Sequence, residues 1–569
     1  MKLSALVDFP DDACVEYTPD MVESMISQLS DVGFDRIYVQ YYGNREYGWI
    51  FNNEAPNYIT QNQTSKNMPN YSRVFVDAAK RHGMEAAVVM RPQEQGIWTV
   101  YSPYYTKDKN INSGIPHLGG RLLVTSTFLQ KHPELRIKRR SWDIDSDAVN
   151  KVIGSIKLYK QNNVPSRIKK ENITIYTSKD NSYYKPYTKP FDFSVSEELA
   201  QETVVISKTV PDYDTELLTL KGMPIQVLTL GNLEIADPFV AIGVRCEGDC
   251  DDKRLFRNTP VHAIACFDLQ GNKICATPGG TRRPTPLNRP FLEAGFHFDD
   301  GFGAYQAITL DPKGSEGFLA IAKGKNRYVH GALCECEPAV REYWLQTLED
   351  AMDDGYDLVG NRIECHSVHV DEPLAYGYND CIKEEYYRRY GYCKEENMEL
   401  DKIAKIRGDA YTELFMEAAK RIRAKGKKIF LTLNIEMLHN PIPLDRRYAY
   451  PMNVEWQWER WLKEIRPDEI NFRMYYNTPK FLLSDPQCLR MLETAKSYDV
   501  PLTIERYTYW DFPAEYEFLR DTGLFSRMTL YETANVLAGD GKGRVVPTER
   551  GKDILPRLSK LLKQNNNGY

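Results

Sequence analysis

Apolar positions in the first ninety residues follow two alternating periods. A short apolar run over 4–9 reads as a strand. Met21, Val22, Met25, Ile26 and Leu29 then recur at helical spacing, with Thr18 as N-cap, Pro19 in the first helical position and Gly33 as the stop. Residues 36–42 predict a second strand, 71–82 a helix with Val74, Phe75, Ala78 and Ala79 on its apolar face, and 85–91 a third strand. Strand, helix and strand joined by short links are βαβ units, which imply a parallel sheet.

From about 142 to 329 the rhythm changes. Short alternating runs, such as 153–158, 204–206, 225–230, 240–244 and 318–322, are separated by Gly, Pro, Asn and Asp, the pattern of a β-sandwich. The α/β rhythm resumes at Pro338, with helices over 340–352, 408–424, 483–497 and 514–519. Strands four to eight fall at 356–363, 428–434, 469–474, 502–507 and 528–531. The expected fold is therefore α/β: a (β/α)8 TIM barrel with a β-sandwich domain inserted after barrel strand three. The divisions fall at 1–141 for the first part of the barrel, 142–333 for the insert and 334–569 for the second part. An open doubly wound sheet is the alternative. Against it, no strand leads into G-x-G-x-x-G or G-x-x-x-x-G-K-[ST], so no nucleotide-binding motif is present.

Composition narrows the function classes. With 42% hydrophobic residues the chain has material for a large core, and wholesale disorder is excluded. A net charge of −6 gives no reason to expect a nucleic-acid partner. No stretch approaches the roughly 20 apolar residues that span a bilayer. The start of the chain, with Lys2 and a short apolar run, is too short for a signal-peptide core, so a cytoplasmic location is expected unless a leader was removed. The 11 cysteines are odd in number and scattered, which suits reduced thiols. Cys246 with Cys250, and Cys334 with Cys336, are the only tight pairs, and neither is matched by a second pair at zinc-site spacing. No structural metal and no cofactor are expected. Aromatic residues at 12%, including 37 Tyr, are what a sugar-stacking surface would draw on, although most such rings fill cores.

Barrel enzymes collect their chemistry at the C-terminal ends of the strands. Polar residues recur there: Tyr42 after strand two, Arg91 after strand three, Arg362 and Glu364 after strand four, Asn434 and Glu436 after strand five, Arg473 on strand six, Glu505, Arg506 and Tyr507 on strand seven, and Glu532 after strand eight. Period-two alternation puts Arg362 with Glu364, and Asn434 with Glu436, on one face of each strand. Glycoside cleavage needs two carboxyl groups flanking one bond. Glu364 is the expected acid/base and Glu505 the expected nucleophile, with Arg362, Arg473 and Arg506 available to the ionised partner. An Arg–Glu network that only seals the barrel top is the structural alternative. Arg91, Arg362, His366, Asn434, Glu436, Arg473, Tyr507, Glu532, His117 and Tyr42 are the expected substrate contacts. His366, His369 and Asp371 allow a rival reading as a metal-dependent hydrolase or isomerase, but the His-x-x-His spacing is not that of a helical zinc pair. Tyr376 and Tyr378, and Trp458 and Trp461, are the aromatic candidates for sugar stacking, and burial against the barrel is expected for one of the two tryptophans.

Residues 131–136 (Lys-His-Pro-Glu-Leu-Arg), 335–341 (Glu-Cys-Glu-Pro-Ala-Val-Arg), the strand leading to Glu364, and 376–379 with 384–391 resemble the family-10-like glycosyl hydrolase barrels. The resemblance covers about two thirds of the chain. It implies a bacterial glycosidase acting on a poly- or oligosaccharide, with a carbohydrate as the partner. Many glycosidase barrels carry Asn-Glu after strand four; this chain has Ile363-Glu364. The insert is expected to shape the cleft, or to bring in substrate or a second subunit of a homo-oligomer. A non-catalytic sugar-binding barrel is the alternative on the same scaffold.

Overall fold

The structure is a computed structural model. It describes the chain apart from residues 9–14, 42–63, 65, 94, 98–123, 143–145, 161–164, 167, 180–184, 201–202, 208–214, 220–221, 246–260, 279–304, 308–315, 324–326, 364–372, 436–452, 475–476 and 567–569.

Eight strands close into a parallel barrel. They are β1 (Lys2–Val7), β2 (Arg36–Tyr41), β3 (Glu85–Met90), β4 (Leu358–Asn361), β5 (Lys428–Asn434), β6 (Glu469–Arg473), β7 (Leu502–Arg506) and β8 (Arg527–Leu530). Each pairs with the next in chain order, and β8 pairs back onto β1 with Ser4 opposite Thr529. A ring that closes in sequence order excludes the open doubly wound sheet.

Local chemistry builds the elements as the sequence predicts. Helix α1 (Pro19–Val32) starts where the Thr18 side chain accepts the Met21 amide, and it stops at Gly33, whose φ of 113° favours glycine. Its buried face is Met21, Val22, Met25, Ile26 and Leu29. Alternation along the strands sorts side chains into two sets. Ala5, Val39, Val88, Val359, Leu431, Phe472, Ile504 and Met528 face the surrounding helices in the main core. Leu6, Tyr38, Ala87, Val89, Leu358, Phe430, Tyr507 and Tyr531 fill the barrel interior.

The N-terminal end of the barrel is sealed by a charged layer. Arg36 bonds Glu469 at 2.7 Å and Glu85 at 2.6 Å, and the Tyr38 hydroxyl donates to Glu469 at 2.7 Å. Arg527 pairs with Asp35 beside it. Glu469 therefore closes the floor, because it is the first residue of its strand.

Between β3 and β4 the chain forms two five-stranded antiparallel sheets. One runs in the order Asp192–Leu199, Pro224–Gly231, Ile153–Lys160, Val261–Asp268, Lys273–Pro278. The other runs Tyr305–Ala307, Glu316–Ala322, Phe239–Arg245, Ile173–Ser178, Lys185–Pro186. Ile156, Leu158, Leu228 and Leu230 of the first share an apolar cluster with Ile173, Ile175, Val240 and Ile242 of the second. Among the described residues no helix is long and apolar enough to cross a membrane.

Gly360 lies directly against the Phe430 ring in the barrel interior, and a Cβ there would overlap the ring. Gly360→Ala is expected to destabilise the fold by about 1–3 kcal/mol through overpacking. Urea unfolding measures it; a change below about 0.5 kcal/mol, the level of an innocuous surface substitution, would mean that the β4–β5 contact is loose.

Candidate functional site

The site is built at the opposite end of the barrel from the floor. Glu505 is on β7 beside Arg473 of β6, its partner in register, and Arg473 is in turn opposite Asn434 of β5. The Glu505 side chain is 1% exposed. Its Oε1 lies 3.1 Å from Arg473 Nε and 3.7 Å from Arg362 Nη1, and its Oε2 accepts the Asn471 amide at 3.3 Å. An isolated buried carboxylate is costly, and two guanidinium groups and an amide are the compensation. Burial pushes the Glu505 carboxyl above the ordinary carboxylate range, while Arg362, Arg91 and Asn471 pull it back.

Aromatic rings hold the arginines in place. The guanidinium of Arg473 lies 4.2 Å from the Tyr531 ring centroid, and that of Arg362 lies 5.3 Å from it. Arg473 Nη2 also donates to the Tyr507 hydroxyl at 2.8 Å. Across the ring, Arg91 Nη2 donates to the Tyr531 hydroxyl at 2.9 Å and pairs with Asp8 Oδ2 at 3.2 Å. Thr432 and Asn471 share the strand face of Phe430 and Arg473, and their Oγ1 and Oδ1 atoms are buried with no hydrogen-bond partner among the described residues. Buried polar atoms of this kind are rare unless a ligand or water meets them.

The expected residues divide into three groups. Glu505, Arg362, Arg473, Arg91 and Tyr507 converge at the mouth, and Asn434 is buried beside Arg473. Glu532 stands next to Tyr531 in a left-handed backbone, with Oε2 accepting the Asn535 amide at 2.9 Å. Glu364, His366, Glu436, His117 and Tyr42 lie outside the described residues, as do His369 and Asp371.

Two readings need correction. Arg506 does not join the mouth: it follows Glu505 by one, so alternation turns it outward, where it forms a two-bonded pair with Glu515 at 2.8 and 2.9 Å. Tyr376 and Tyr378 are buried in an apolar cluster with Ile382 and Ile403 and offer no stacking face. Of the two tryptophans one is buried, as expected: Trp461, whose indole N–H donates to Thr412 Oγ1 at 2.8 Å, while Trp458 is half-buried against the same core. Two features were missed. Asp8 continues the inward face of β1 from Ser4 and Leu6, a signal that alternation carries. Tyr509 and Trp510, just beyond β7, are exposed at 46% and 51%, and Tyr509 stacks on Tyr507 with centroids 4.9 Å apart.

No protein-family model matches the chain, and no curated protein sequence matches it. Among solved structures, a rhamnosidase from Novosphingobium sp. PP1Y is similar over 99% of this chain and 59% of its own, at 9% identity and TM-score 0.34. The glycoside hydrolase domain of PelA from Pseudomonas aeruginosa is similar over 37% of this chain and 66% of its own, at 12% identity and TM-score 0.19. A D-allulose 3-epimerase from Methylomonas sp. is similar over 40% of this chain and 72% of its own, at 12% identity and TM-score 0.23. The chain thus spans less than two thirds of the rhamnosidase's length. Likenesses this distant assign neither a substrate nor a reaction.

Proposed function

We propose that the protein is a glycoside hydrolase that cleaves O-glycosidic bonds of a poly- or oligosaccharide by a two-carboxylate, retaining mechanism. The observation that supports it is one buried carboxylate, Glu505, contacted by two arginines at the C-terminal mouth of a closed barrel. In this reading Glu505 attacks the anomeric carbon while Glu364 protonates the departing glycosidic oxygen. Water, deprotonated by Glu364, then displaces the ester and restores Glu505. Arg362 and Arg473 stabilise the ionised nucleophile, and Arg91, Asn434, Tyr507 and Glu532, with His117, His366, Glu436 and Tyr42, bind sugar hydroxyls. No cofactor enters these steps.

The reading includes kinship with the family-10-like glycosyl hydrolases, supported by the sequence motifs around Lys131, Glu335 and Tyr376. It also includes the division into a barrel of 1–141 and 334–569 with a β-sandwich of 142–333. The apolar cluster shared by the two five-stranded sheets supports the sandwich.

Glu505→Gln and Glu364→Gln are each expected to lower turnover by about a thousandfold or more, with circular dichroism unchanged, on a panel of aryl glycosides and polysaccharides. Full activity in both variants on a glycan that the wild type cleaves would overturn the assignment. Trp510→Ala is expected to weaken substrate affinity about 2- to 12-fold, the equivalent of one aromatic stack worth about 0.5–1.5 kcal/mol; titration calorimetry reads it, and unchanged affinity removes Trp510 from the sugar surface.

The raised Glu505 carboxyl has a consequence for stability. Between the ordinary glutamate value and the raised folded one, the folded state holds a proton that the unfolded state has lost. Stability must then fall as pH rises through that interval. Relative to Glu505→Gln, wild-type unfolding free energy should decline across it; a relative increase would mean that the arginines outweigh burial.

A further inference from the structure

We infer that Cys334, Cys336 and Cys381, with the carboxylate of Glu337, form a zinc-binding site away from the barrel mouth. Sequence spacing hides it, because Cys334 and Cys336 are a lone pair and the third thiol comes from a separate helix. Cys334 follows the strand Tyr328–Leu333, and its backbone N–H is fixed by Leu135 O at 2.8 Å. Cys336 follows in the turn that leads into α2 (Pro338–Asp354), of which Glu337 is the N-cap. Cys381 is the second residue of α3 (Asp380–Tyr390). The N-cap of α3, Asn379, is pinned by Lys138 N at 2.8 Å and Arg136 O at 2.9 Å, so the position of Cys381 is fixed too.

These segments meet at the sulfur of Cys334. Both the Cys336 and the Cys381 side chains hydrogen-bond to it. Cys381 Sγ lies 3.2 Å from Glu337 Oε1. Cys334 Sγ, Cys336 Sγ and a carboxylate oxygen of Glu335 lie within 4.8 Å of one another. The Glu335 carboxylate is committed to Arg407 and to Gln93 Nε2, the latter at 3.1 Å, which leaves Glu337 as the oxygen ligand. Glu337 makes no side-chain cap to its own helix and is held by Cys381 instead.

The chemistry selects the metal. Three thiols, one buried (Cys334) and two half-buried (Cys336 and Cys381), with one carboxylate are a soft, four-ligand set, which suits tetrahedral Zn2+ and not Mg2+ or Ca2+. Zn2+ would release the thiol protons to solvent and replace the sulfur–sulfur hydrogen bonds with metal–sulfur bonds. The site would tie the end of the Tyr328–Leu333 strand to the starts of α2 and α3.

The test uses the full chain, reduced and stripped with a chelator. Titration with Co2+ is expected to give thiolate-to-cobalt charge transfer and the visible bands of a tetrahedral ion, both bleached by equimolar Zn2+. Cys381→Ser should weaken Zn2+ binding by more than the roughly 10–100-fold that loss of an outer partner costs. Cys393→Ser, a nearby thiol outside the set, should leave it unchanged. Independently of any variant, Zn2+ should protect Cys334, Cys336 and Cys381 from iodoacetamide, mapped by peptide mass spectrometry. Absent charge transfer, equal loss in Cys393→Ser, or alkylation of the three thiols that is indifferent to Zn2+ would each overturn the proposal.

Discussion

Burying the Glu505 carboxylate is the constraint from which the arrangement of the mouth follows. A charge held at 1% exposure must be met by opposite charge or by strong donors, and the neighbours on adjacent strands supply both. Arg473 comes from the next strand in register and Arg362 from across the ring. Those cations are themselves dehydrated, and Tyr531 and Tyr507 complete their surroundings. A closed parallel barrel makes such an assembly possible, because every second residue of eight strands points to one small volume.

The two ends of the barrel use similar residues to opposite effect. At the floor, Glu469 is bonded by Arg36, by the Tyr38 hydroxyl and by Thr503. That carboxylate is satisfied on every side and closes the structure. At the mouth, Glu505 shares its arginines with aromatic faces, while Thr432 Oγ1 and Asn471 Oδ1 have no bond among the described residues. Incomplete satisfaction at one end and complete satisfaction at the other is what separates a site from a seal.

Much of the fold is legible along the chain, because it rests on periodicity. Strand Lys428–Asn434 falls on its predicted limits, and α1 begins and ends at its predicted cap and glycine. Helix Leu400–Ala424 starts eight residues before the predicted 408, because Asp401, Lys402 and Lys405 mask the periodicity of Ile403 and Ile406, which pack into a different cluster. Strand alternation identifies Arg362, Arg473 and Glu505. The outward turn of Arg506 and the inward one of Asp8 follow from the same alternation, whereas what stays hidden depends on partners in space: Tyr376 and Tyr378 are enclosed by Ile382 and Ile403. Cys381 is 45 residues beyond the pair it joins, a distance that no spacing rule reaches.

The role of Glu505 is tested most directly by trapping. The protein would be incubated with 2-deoxy-2-fluoroglycosides that carry an activated leaving group, then digested and mapped by mass spectrometry. A glycosyl ester on the peptide containing Glu505, stable at low pH and released by turnover with an acceptor sugar, is the predicted result. An ester on any other carboxylate, or hydrolysis with inversion at the anomeric carbon, would contradict the account.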